Sequence, residues 1–295
     1  MTYARRLSLT AGSKTTSRLW LGAMTGAATL AATAGPARAI VGGEDASSSS
    51  NARRYTVIVQ SQKGELCSGA LIARDLVLTA AHCVTQKTKY RVIAFDRNFA
   101  PTVVGVASAA RNPAFKIKGR PDRQTGLDIA ILELAEPLGG DMKPLMISND
   151  LTQLTPSSEV TVSGFGLSRF GDRSSAGKLR FAHLRVAGIA NIGVPSLALT
   201  VDGTPEGRGR SACLGDSGGP IVVESFYQNV LVGLVSLADA ERGKVPCAGV
   251  TFATPVALPE EVSTRVLSRS GGGPAAPISH APLVWPDRGG GGNGR

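Results

Sequence analysis

Between Arg54 and about Thr254 the chain is written in short apolar runs parted by Gly, Pro, Asn and Asp. Tyr55–Val59, Leu76–Thr79, Tyr90–Phe95, Ile129–Leu134, Val160–Ser163, Pro220–Val223 and Val230–Val235 are each of strand length and rich in β-branched residues. Such side chains suit a pleated sheet better than a helix. No sustained 3.6-residue periodicity interrupts them, so the pattern predicts an all-β barrel or sandwich. One helix is expected late, over 258–268. Pro259, Glu260 and Glu261 fit its first turn, and Val262, Val266 and Leu267 share a face. The stretch from about Met142 to Pro156 is poor in strand signals and is expected to connect two halves.

Both ends depart from this pattern. Basic residues up to Arg18 precede a mostly apolar run, Leu19 to Ala34, and Ala37-Arg38-Ala39 is a small-x-small cleavage pattern. The run is shorter and weaker than a membrane span. Residues 1–39 therefore read as a signal peptide, with the cut open between Ala34 and Ala39. The mature protein is expected to be secreted or periplasmic, with no membrane attachment. After Arg269, Gly271–Gly273, Pro274, Pro277 and Gly289–Gly292 mark residues 271–295 as a flexible tail that cannot bury a core.

Composition narrows the reading further. Aromatic residues make up 5% of the 295, so the core must be built from Val, Leu, Ile and Ala. The net charge of +10 suggests a nucleic-acid partner only at first sight. Arg5, Arg6, Lys14, Arg18 and Arg38 all precede residue 40, where there is no acid; the remainder holds 27 bases against 22 acids, or +5. With no dense Lys/Arg block or interleaved aromatics, nucleic-acid binding is not expected. Cys67, Cys83, Cys213 and Cys247 match no compact metal-binding spacing, and an exported chain meets an oxidising compartment. Two disulfides are expected, in any of three pairings, and no metal.

Three segments carry candidate chemistry. Gly215-Asp216-Ser217-Gly218-Gly219-Pro220 holds a serine in a glycine-rich turn. A serine hydroxyl is a poor nucleophile unless a base lies within reach, and glycines let the backbone expose N–H groups toward a substrate carbonyl. Leu78-Thr79-Ala80-Ala81-His82-Cys83 supplies an imidazole at the end of an apolar strand. Gly126-Leu127-Asp128-Ile129-Ala130 sets an acid before another, where it needs a polar partner.

With these in view the chain resembles the chymotrypsin-like (trypsin-like) serine proteases. The resemblance runs from Ile40-Val41-Gly42-Gly43 to about the helix at 258–268 and includes the order His, Asp, Ser. Cys67-Ser68-Gly69-Ala70-Leu71-Ile72 and Val162-Ser163-Gly164-Phe165-Gly166 also look like the family. The resemblance implies two perpendicular six-stranded antiparallel β-barrels, about 40–150 and 151–257, in a protease domain spanning 40–270. It implies a serine endopeptidase acting through His82, Asp128 and Ser217, with an oxyanion hole at Gly215 and Ser217 and no cofactor. It further implies the pairs Cys67–Cys83 and Cys213–Cys247, and an activation pair of Ile40 and Asp216. Ser211 would sit at the pocket base, with Ser236, Ala238 and Gly249 in its walls.

The chain departs from the family's pattern at Leu237 and Phe165, where tryptophans are customary, and in a loop after Cys83 without calcium-binding acids. These departures make it similar to bacterial-type members. A pocket base carrying Ser211 rather than an acid implies cleavage after apolar residues, unless Asp239 or Glu241 reaches in. The expected partners are polypeptide substrates and protein inhibitors of a monomer. The alternative is a non-catalytic binding protein on the same scaffold.

Overall fold

In the computed structural model the described residues are 40–85, 88–117, 124–148, 154–204, 207, 209–224, 228–238, 247, 249–256 and 258. Six strands close the first barrel: β1 (Thr56–Ser61), β2 (Leu66–Ala73), β3 (Leu76–Thr79), β4 (Tyr90–Phe95), β5 (Pro101–Arg111) and β6 (Ala130–Leu134). Around the barrel they run β1-β2-β3-β6-β5-β4, and β4 pairs back to β1. The second barrel holds β7 (Glu159–Gly164), β8 (Arg180–Asn191), β9 (Pro195–Thr200), β10 (Pro220–Glu224), β11 (Asn229–Ala238) and β12 (Thr251–Pro255). Its circuit is β7-β8-β9-β12-β11-β10, the same order as the first. All barrel pairings are antiparallel, and closure leaves neither barrel an open edge.

Each barrel is filled by the aliphatic residues that the low aromatic content demanded. Val57, Val59, Leu71, Val77, Val92 and Leu132 fill the first; Val160, Val162, Leu184, Leu197, Leu199 and Ile221 fill the second. A third cluster joins the barrels, setting Ile72, Leu78 and Ile131 against Phe165, Val222 and Leu234. Burying each such side chain contributes about 1.5–3 kcal/mol. Strand β2 is therefore buried along both faces from Ser68 onward, one toward its own barrel and one toward the other.

The expected connector between Met142 and Pro156 is not wholly irregular: Met146–Ile147 forms a short strand that pairs in parallel with Val230–Leu231. The helix expected over 258–268 lies outside the described residues apart from Leu258, as do the signal segment and the tail.

Candidate active site

Strand β3 ends at Thr79, and a 3-10 turn, Ala81–Cys83, then carries His82 out of the first barrel. The Cys67–Cys83 disulfide fastens that turn to β2. Asp128 precedes β6 and is fully buried. Its Oδ1 accepts the main-chain N–H of His82 at 2.9 Å, and its Oδ2 lies 2.7 Å from His82 Nδ1. Ser236, on β11 of the second barrel, donates its hydroxyl to the same Oδ2 at 2.6 Å. An ionised carboxylate only accepts, so the proton of a neutral His82 resides on Nδ1 and Nε2 keeps its lone pair. The buried charge is satisfied by three donors from both barrels.

Ser217 lies in the turn before β10. Gly215, two residues earlier, has φ +95°, a left-handed conformation that a residue with a Cβ rarely adopts. The carbonyls of this turn are all taken. Leu214 accepts from Leu167 N–H, Gly215 from the Ser68 hydroxyl, Asp216 from Gly219 N–H and Ser217 from Ser68 N–H. The N–H groups of Gly215 and Ser217 have no hydrogen-bond partner among the described residues. Two free N–H donors on this turn, one of them the serine's own, are the kind of group from which an oxyanion accepts.

Asp216 points the other way, inward and fully buried. Its carboxylate accepts from Gly166 N–H at 2.7 Å and Cys213 N–H at 2.8 Å. Burial pushes its pKa up to about 7, opposed by those two hydrogen bonds and the Arg180 charge. A Cβ on Gly166 would stand 2.6 Å from the Asp216 carboxyl carbon, so only glycine admits this approach. That contact is a physical reason for the second glycine of the Gly164-Phe165-Gly166 motif.

His82 and Ser217 line one cleft of about 260 Å³, with Cys213, Leu214, Val235, Ser236, Leu237, Ala238 and Cys247 on the second-barrel side. No hydrogen bond joins His82 to Ser217; bonds of this kind often tighten only around substrate. A larger hollow of about 340 Å³, around Gln60, Lys89 and Arg91, contains neither group. Ser236 and Ala238 thus line the cleft, and Ser236 additionally serves Asp128, a role the sequence reading did not assign. Ser211 and Gly249 are buried and do not line it; the Ser211 hydroxyl donates to the Cys247 carbonyl. Asp239 and Glu241 lie outside the described residues. Disulfides join Cys67 to Cys83 and Cys213 to Cys247. Among the described residues, the one group of three close metal-ligand types is Cys67, His82 and Cys83, whose sulfurs are bonded to each other.

Ile40 is fully buried in the second barrel's core, and Val41 O accepts from Ser211 N–H at 3.2 Å. Ile40 has φ +45°, an outlier for a β-branched residue. No hydrogen bond joins it to Asp216 in the intact chain.

Two like-folded β-barrels, with a histidine–carboxylate pair and a serine turn opening on one cleft, define the architecture of a serine protease. A family model described as Trypsin matches residues 40–259, and the chain belongs to that family. It is 30% identical over 193 residues to Trypsin iota of Drosophila melanogaster, covering 62% of this chain and 72% of that protein. It is 32% identical over 209 residues to the vitellin-degrading protease of Bombyx mori, covering 67% and 75%. To a trypsin of Saccharopolyspora erythraea it is 30% identical over 224 residues, covering 70% and 90%. Similarity of this order extends to insect and mammalian members, such as cathepsin G of Mus musculus, so it does not single out a bacterial type.

Proposed function

We propose that this chain is an exported serine endopeptidase in which His82, Asp128 and Ser217 carry the chemistry. The observation that carries this reading is the His82–Asp128 pair, which leaves Nε2 as a base in the cleft that Ser217 lines. In the proposed reaction Nε2 takes the Ser217 proton as the oxygen attacks the scissile carbonyl. The imidazolium that results is stabilised by Asp128 and returns the proton to the leaving amine. The N–H groups of Gly215 and Ser217 receive the oxyanion, a contribution of about 3–4 kcal/mol per donor in related enzymes. Water then releases the acyl group by the same proton path in reverse.

The cleft favours cleavage after apolar residues. Its described wall contains Val235, Leu237 and Ala238 and no charged side chain that could repay the desolvation of Lys or Arg. The protein acts as a monomer on polypeptide substrates and is open to protein inhibitors. The lack of acids in the loop after Cys83 supports a bacterial-type member.

Activation follows from Ile40. Its φ of +45° exists only while Ala39 is attached, and such strain costs on the order of 1–3 kcal/mol. A cut before Ile40 removes the strain and creates an ammonium, for which the fully buried Asp216 is the proposed partner. Signal cleavage after Ala39 would give the active form directly, with residues 40–270 as the protease domain and 271–295 as a solvated tail. A peptide-library digest by the exported protein, with N-terminal sequencing of the enzyme, tests the proposal. Cleavage after Leu, Met, Phe or Ala by a protein starting at Ile40 is expected. Dominant cleavage after Lys or Arg contradicts the pocket reading, and active protein starting at Gly35 contradicts the activation reading.

A further inference from the structure

We propose that Ser68 is a positioning residue for the serine turn, holding it from the first barrel so that its two free N–H groups keep the geometry an oxyanion requires. The inference rests on the peptidase reading above. Ser68 lies on β2 and is fully buried. Its hydroxyl donates to the Gly215 carbonyl and accepts from Phe165 N–H, both at 2.9 Å. Its main-chain N–H donates to the Ser217 carbonyl at 2.9 Å, and its own carbonyl accepts from the Thr79 hydroxyl at 2.8 Å.

These contacts fall on alternate peptide units. The unit between Gly215 and Asp216 is gripped by Ser68 Oγ on its carbonyl, and its N–H donates to Cys213 O at 3.0 Å. The unit between Ser217 and Gly218 is gripped by Ser68 N, and its N–H donates to Val235 O at 2.7 Å. A peptide plane held at both its carbonyl and its N–H cannot rotate. The plane between them carries the free Ser217 N–H; its Asp216 carbonyl accepts from Gly219 N–H at 2.8 Å, and its two clamped neighbours fix its ends. Gly215 has no Cβ to limit its rotation, and the side chain clamping it belongs to a residue 147 positions away. A hydroxyl both donates and accepts, and Ser68 uses both capacities. Alanine would leave the Gly215 carbonyl and Phe165 N–H without that partner.

The test is Ser68→Ala in the exported protein. One assay measures kcat and KM on a single peptide. A second measures affinity for a peptide boronate, which forms a tetrahedral adduct on the serine, and a third follows hydrogen exchange across 213–219. Removing an oxyanion donor outright costs about a hundred- to thousandfold in kcat, so loosening the turn should cost about ten- to hundredfold. KM should stay within about threefold, since the interaction belongs to the transition state. Boronate affinity should fall with kcat, and exchange across 213–219 should quicken. A kcat within threefold of wild type, a loss confined to KM, or unchanged exchange would overturn the inference. Should the alanine variant not fold, Ser68→Cys, similar in size with a far weaker hydrogen-bonding group, is read by the same criteria. A wild-type protein that neither cleaves peptide nor binds boronate would refute the peptidase reading, and the exchange arm would still decide whether Ser68 orders the turn.

Discussion

Replacing Asp128 by asparagine keeps the shape of the side chain and removes one acceptor. Asp128 now takes three donors: His82 N–H on Oδ1, and His82 Nδ1 with the Ser236 hydroxyl on Oδ2. An asparagine offers one oxygen and one NH2. The main-chain N–H of His82 claims the oxygen, which turns the NH2 toward Nδ1. The imidazole must then accept at Nδ1 and carry its proton on Nε2, where it can no longer receive one from Ser217. The hydroxyl of Ser236 can rotate to accept, so the fold should survive. The same substitution in a related triad lowers kcat by about four orders of magnitude, or roughly 5.5 kcal/mol of transition-state stabilisation. We expect a loss of that size in kcat with KM little changed, measured on the best library peptide against Ser217→Ala as the floor. A variant retaining more than a tenth of wild-type kcat would refute the tautomer argument and the role given to Asp128.

Three further outcomes are expected. Gly166→Ala forces a Cβ to 2.6 Å from the Asp216 carboxyl carbon; this overpacking should cost about 1–3 kcal/mol and lower Tm by roughly 2–12 °C in a thermal melt. In the intact chain the Asp216 pKa is raised to about 7, so its contribution to stability is fully present below the ordinary carboxylate range and is lost as pH rises through 7. Tm of intact Ser217→Ala protein should therefore decline over that window more than that of the double variant with Asp216→Asn, and parallel profiles would disprove it. Arg53, 2% exposed, donates to Asp141 through both guanidinium NH2 groups and to Phe95 O, which ties the start of β1 to the end of β4. Arg53→Ala should cost about 2–3 kcal/mol because Asp141 is only partly buried, with kcat unchanged; a Tm equal to wild type would contradict this.

How far the sequence reaches depends on where each strand points. Tyr90–Phe95 was legible to the residue, because its inward and outward positions alternate cleanly. Strand β5, Pro101–Arg111, was not among the apolar runs. It turns only Val104 and Ala110 fully inward and carries Gly, Ser and Ala between them, so its pattern is faint. Strand β9 opens with proline and β12 ends with it, which masks both as turns. The histidine, aspartate and serine segments were legible because each has local signatures. The Ser236–Asp128 and Ser68–Gly215 bonds were not, since they join residues 108 and 147 positions apart that only barrel closure brings together. The resemblance puts Ser211 at the pocket base; its hydroxyl donates to the Cys247 carbonyl, a contact between residues 36 positions apart that no local signature marks.

The central claim is that Ser217 is a nucleophile made reactive by His82. A fluorophosphonate probe tests it most directly, because it reacts with an activated serine and leaves ordinary hydroxyls untouched. The exported protein should incorporate one probe per chain, mapped by peptide mass to Ser217, with labelling lost in Ser217→Ala and strongly slowed in His82→Ala. A folded protein with both disulfides formed and the Ile40 terminus free that takes up no probe, or takes it up equally in Ser217→Ala, would contradict the account.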